Sequence, residues 1–150
     1  MARALLDESF FWDIADEGAP LGSDTGSDTL AAFREWRREH PRANPERFLK
    51  DLLADWGVKT AVVNRSAEGI ATILEKDHFS LLTHDDAVVA LAFAQLVLEG
   101  GIAPSIRERA LAAAVRQQLP EVVAFRGWTS PGERVARLEA VRRVLRATAG

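Results

Sequence analysis

The stretch Asp13-Ile14-Ala15-Asp16-Glu17-Gly18-Ala19-Pro20-Leu21-Gly22-Ser23-Asp24-Thr25-Gly26-Ser27-Asp28 concentrates the residue types that hard cations take. Ca²⁺ and Mg²⁺ want several oxygens carried on backbone that glycine keeps flexible. Asp13, Asp16, Asp24 and Asp28 are therefore the candidate ligands of a divalent cation, although their spacing is not that of an EF-hand loop. Turn and cap chemistry is the favoured account of the same residues. Gly22 and Gly26 would supply turns, Asp24 an Asx turn, and Ser27 and Asp28 the cap of the helix that follows. Asp24-Thr25-Gly26-Ser27 also spells the aspartic-protease tetrapeptide, in which paired carboxylates share a proton and activate water. That motif needs an apolar β loop and a second copy, and here a helix pattern follows it, so no catalytic role is assigned.

His78 and His84 lie close in sequence to Asp77, Asp85 and Asp86, from which a metal site or an acid–base pair can be drawn. Their spacing matches no known ligand set. The favoured reading is of partly exposed histidines, with Asp85 and Asp86 complementing a helix N-terminus. Nine arginines face four acids from residue 104 onward, which raises nucleic-acid binding. Glu133/Arg137 and Glu139/Arg143 are i,i+4 pairs in the favourable order and the other arginines scatter around their helices, so a solvated, salt-paired face is favoured and nucleic acid is disfavoured. Trp36 and Trp56 fall on apolar helix faces and read as packing residues. Phe10, Phe11 and Trp12 stand outside any periodicity and form the candidate anchor for a protein partner. Gln95, alone among apolar neighbours, reads as a core amide with a hydrogen-bond partner. No P-loop, dinucleotide fingerprint, nucleophile elbow or zincin helix is present.

The elements that would carry these residues are mostly helices. Leu30, Phe33 and Trp36 recur at helical spacing up to His40-Pro41, and Asn44-Pro45 opens a second helix that buries Phe48, Leu49, Leu52 and Leu53 and closes at Gly57. The spacing predicts a helical hairpin over 29–57 after an acidic segment, 1–28, and a helical core over 66–148. The β-branched run 58–63 predicts one short strand. Ser66 would cap a helix through Ile70, Ile73 and Leu74. Thr83 would cap the next, a buried central helix over 84–99 ending at Gly100-Gly101. Ser105-Ile106-Arg107-Glu108 and Ser130-Pro131-Gly132-Glu133 read as capping boxes for the last two helices. The expectation is one mostly α, compact domain over 1–150, with about five or six helices around 84–99.

Composition bounds the class. The chain has 150 residues, 47% of them hydrophobic and 27% charged, with no cysteine and a net charge of −3. That is the makeup of a globular domain with neither a disulfide framework nor a thiolate site. The first 28 residues carry seven acids against Arg3 alone, and the end of the chain is net basic. The twelve-residue run 87–98 is shorter than the ~17–25 residues of a bilayer crossing, and the N-terminus lacks the apolar stretch of a secretory signal. The expected location is the cytoplasm, away from membranes.

Two stretches resemble a group of bacterial proteins, the YfeS-like proteins and a related small helical domain. Phe11-Trp12-Asp13 followed by Ala19-Pro20-Leu21-Gly22-Ser23-Asp24-Thr25-Gly26-Ser27-Asp28-Thr29-Leu30 is similar to the group's Phe-(Gly/Glu)-Asn-Asp-x-Ala-x-Asp-x-Leu pattern. Asp85-Asp86-Ala87-Val88-Val89-Ala90-Leu91-Ala92-Phe93-Ala94 is similar to its acidic-start, alanine-rich helix. Ser23 stands where the group usually has Asn. The resemblance implies a helical fold and marks Asp24 and Asp28 as characteristic positions, and it implies no activity. The sequence thus points to a non-catalytic protein-interaction or regulatory module that binds another protein. The alternative is a divalent-metal-binding protein or metal-dependent enzyme using the acidic loop.

Overall fold

The computed structural model describes residues 23–64, 69–127 and 130–148. Within them the chain forms α1 (Asp24–Glu39), α2 (Pro45–Asp55), α3 (Thr60–Asn64), α4 (Ile70–Glu99), α5 (Pro104–Gln117), α6 (Pro120–Arg126) and α7 (Pro131–Ala147), and no strand. α3 is little more than one turn. The other six helices agree with the expected mostly α architecture around a central helix.

That helix is α4. Every residue from Ala87 to Leu96 is buried, which requires neighbours on all sides. α1 and α5 lie along it, and α2, α3 and α6 complete its surroundings. Ala87, Ala90, Ala92 and Ala94 leave room for close approach, while Phe33 of α1 fills the space toward α2 and meets Phe48 edge-on at 5.2 Å. Trp36 stands 5.5 Å from Phe48, so it packs as its spacing predicts. From α7, Val141, Val144 and Leu145 reach the same core. A smaller cluster of Val63, Ile70, Leu74, Leu81 and Val122 seals the other end of α4.

α4 is also long and apolar enough, by length and composition alone, to cross a membrane, and most of that stretch is buried against the other helices. It exceeds the expected 84–99 because Thr83 is not its cap. Helical structure begins at Ile70 and breaks at Asp77 (φ −154°, ψ 60°). Asp77 Oδ1 accepts the Ser80 N–H at 3.3 Å, so Asp77 caps the second segment and His84, Asp85 and Asp86 sit well inside it. The polar run Thr83–Asp86 mimics a helix start. What it conceals is that Leu81, fully buried, already carries the apolar face upstream.

The strand expected over 58–63 is corrected to a turn followed by α3. Gly57 takes φ 74°, its N–H donates to Ala54 O at 3.1 Å, and Val58 N–H donates to Leu53 O at 2.9 Å. These are the two bonds of a Schellman motif, and the buried Val58 is its apolar closing contact. The β-branched side chains serve a helix stop and one helical turn, and among the described residues there is no strand for them to pair with.

Other caps also move. The α1 N-cap is Ser23, whose Oγ accepts the Gly26 N–H at 3.0 Å, so Ser27 and Asp28 lie within the helix and Asp24 in its first turn. α5 starts at Pro104 with Ala103 as N-cap, two residues ahead of the expected Ser105. Ser130 is the N-cap of α7, without a side-chain capping bond. Asn44 caps α2 as predicted, its Oδ1 accepting the Glu46 N–H at 3.0 Å. The cap expected at Ser66 lies outside the described residues.

Candidate functional site

Helix geometry fans successive side chains about 100° apart, so His84, Asp85 and Asp86 leave α4 toward three different neighbours. Asp85, almost fully buried, meets α5: Arg116 Nε donates to Oδ2 at 3.0 Å and Nη2 to Oδ1 at 2.8 Å. Asp86 meets α5 and α6: Gln117 Nε2 donates to its Oδ1 at 2.6 Å and Arg126 Nη2 to the same oxygen at 2.9 Å. Burial pushes the Asp86 carboxyl above the usual aspartate range, Arg126 and Arg134 pull it down, and Asp85 adds a smaller push upward. Arg134 of α7 is itself buried.

His84 points toward α2. Its Nδ1 lies 2.9 Å from Asp85 Oδ1, and because a carboxylate only accepts, Nδ1 carries the proton of that bond. The Arg116 clamp fixes Asp85, and Asp85 fixes the ring. Among the described residues nothing bonds Nε2. His84 is 5% exposed and forms part of the wall of an open cleft of about 710 Å³ between α2, α4 and the start of α5. Arg47 and Lys50 stand on the α2 side, Leu49, Leu53 and Val58 give an apolar lining, and Arg109 pairs with Glu46 at 2.8 Å across the rim.

A second feature lies six residues before His84 on α4. His78 is exposed, and its ring sits 5.0 Å from that of Phe125 on α6. Phe125 is 45% exposed and Phe79, next to His78 in sequence, 49%. Two large aromatic side chains are thus presented to solvent around one helix junction.

The sequence-predicted site residues fare differently. Asp24 and Asp28 are exposed, one turn apart on α1. Among the described residues no group of three or more His, Asp or Glu side chains is placed to hold a metal ion. Asp13, Asp16, Phe10, Phe11 and Trp12 lie outside the described residues. The pairing of His84 with Asp85 is realised, but the histidine is buried where partial exposure was favoured, and His78 is not part of the set. The arginines are corrected too. Arg137 does pair with Glu133, at 2.7 Å, yet Arg116, Arg126 and Arg134 turn inward. The available signal was Asp85-Asp86 at the head of a run that must be buried, which demands cationic partners elsewhere in the chain.

Fold and site together define an all-α protein whose central helix is tied to its neighbours by partly buried carboxylate–guanidinium pairs. Among curated proteins the chain is similar to the uncharacterized protein YfeS of Escherichia coli strain K12, with 30% identity over 106 residues, 69% of this chain and 43% of that protein. The chain is YfeS-like over that stretch, and it spans less than half the length of the relative it matches. No protein-family model matches the sequence. No solved structure matches it either.

Proposed function

We propose that the chain is a non-catalytic interaction module that works in the cytoplasm by binding another protein. The observation that supports this reading is the exposed pair Phe79 and Phe125 beside His78. Large aromatic side chains exposed at a helix junction are of the types enriched at protein–protein interfaces. Both side chains leave about half of their surface in water although the same helices bury Leu81 and Val122, so a partner that covers them gains apolar area without rearranging the core.

The test is recovery from native lysate with the wild-type chain and with a Phe79→Ser/Phe125→Ser double variant as baits. The expected result is a stoichiometric protein held by the wild type and lost with the double variant, whose substitutions lie outside the core. Recovery of no stoichiometric protein, or equal recovery by both baits, sinks the reading.

A further inference from the structure

We propose that the cleft above His84 is a binding site for a small phosphomonoester. It stands independently of the aromatic corner and names a ligand where that reading names a protein partner.

A nearly buried imidazole has one nitrogen committed to a clamped carboxylate, while the other has no partner among the described residues and borders open space. Nε2 is not one of the sealed polar atoms that lack a partner, so it keeps contact with solvent and is open to a ligand that enters the cleft. The Nδ1–H is fixed by Asp85, and Nε2 is the atom left to meet the ligand. In the neutral ring Nε2 accepts from a P–OH, and in the imidazolium it donates to a P–O⁻. A phosphomonoester monoanion presents both kinds of oxygen and meets either form of the ring, whereas a carboxylate or a sulfate presents no proton and can meet the imidazolium alone.

The surrounding charge has the matching sign. Arg109 is engaged by Glu46. Arg47 and Lys50, both exposed, have no ion-pair partner among the described residues and can close on the phosphate anion from the α2 side. Beneath them, the largely buried Leu49, Leu53 and Val58 form an apolar floor on which the organic part of an ester would rest. The cleft is within the roughly 300–1,000 Å³ of small-molecule sites.

The chain has three histidines, His40, His78 and His84, so its imidazole resonances are few. His40→Gln and His78→Gln variants assign the His84 ring by elimination without touching the buried centre. Titration with inorganic phosphate and with phenyl phosphate is expected to move the His84 ring resonances saturably. Phenyl phosphate should bind more tightly, sulfate should have little effect, and an Arg47→Gln/Lys50→Gln double variant should weaken binding by about tenfold or more. Both substitutions are at exposed positions, and an unchanged thermal midpoint will show that the fold is intact. Resonances that stay still, an equal response to sulfate, or phosphate binding that the double variant leaves unchanged would each overturn the assignment.

Discussion

Arg116 grips Asp85 across 31 residues of sequence with two hydrogen bonds, Nε to Oδ2 at 3.0 Å and Nη2 to Oδ1 at 2.8 Å, and so locks α5 to α4 through one planar fork. Removing one side of such a pair leaves an uncompensated charge in the interior, and that costs more than the pair contributes. Arg116→Met is expected to destabilise the protein by about 3 kcal/mol, the lower part of the range for buried pairs because the arginine keeps some contact with water. Asp85→Leu combined with Arg116→Met should recover part of that loss, the remainder being the cost of leaving the His84 Nδ1–H without its acceptor. Urea unfolding of the two variants decides it, and a double variant as unstable as the single one would contradict this account.

Asp86 makes stability depend on pH in an unusual direction for an aspartate. Its folded-state carboxyl is held above the ordinary value because burial outweighs the pull of Arg126 and Arg134. The native state therefore keeps this proton to higher pH than the unfolded chain does. The contribution is fully present below the unfolded value of about 3.9, is lost as pH rises through the folded value, and is constant above it. Asp86→Asn cannot titrate. The stability of wild type relative to Asp86→Asn should fall on going from pH 4 toward neutrality and then level off, as read from unfolding midpoints at each pH. A relative stability that rises over that interval would mean that Arg126 wins.

The break at Asp77 assigns the start of the buried segment of α4. Asp77→Ala removes the oxygen that receives the Ser80 N–H and should cost about 1 kcal/mol. Thr83→Ala, at the position where the sequence places a cap, should stay within about 0.5 kcal/mol. Thermal unfolding of both compares them directly, and a larger loss at Thr83 would restore it as the cap.

Those two residues also show what was legible in the sequence and what was not. The all-α class, the buried run from Ala87 to Leu96 and the stops at Gly57 and Gly100 follow from local rules, namely helical periodicity and left-handed glycine. Helix starts were less legible, because Ser, Thr, Asp and Asn cap helices and also serve inside them. Ser23, Asp77, Thr83 and Ser105 cannot be ranked without knowing which apolar faces find partners. The 58–63 run misled because β-branched residues suit a strand only where another strand exists. The site was half legible. His84 and Asp85 are adjacent in sequence, but Arg116 comes from 31 positions away, and no spacing rule links a carboxylate on one helix to a guanidinium on another.

Gln95 is the core amide for which a partner was expected, and it has two. Its Oε1 accepts the Ala103 N–H at 3.2 Å, and its Nε2 donates to Glu99 Oε1 at 3.2 Å. Ala103 is the N-cap of α5 and carries no capping side chain, so the amide reaches across the Gly100-Gly101 turn and fixes where α5 begins. Glu99 in turn lies 3.1 Å from Arg37 of α1, which extends the link to a third helix. Gln95→Leu has a similar volume and would suit the apolar surroundings, yet it leaves the Ala103 N–H without its acceptor. The cost should be about 1–3 kcal/mol, offset in part by the greater apolarity of leucine. The sharper readout is local: hydrogen exchange at the Ala103 amide should accelerate by more than the loss of global stability explains. If that amide stays as protected in Gln95→Leu as in the wild type, relative to global unfolding, then Gln95 is not what holds the turn and the start of α5 is set by Pro104 alone.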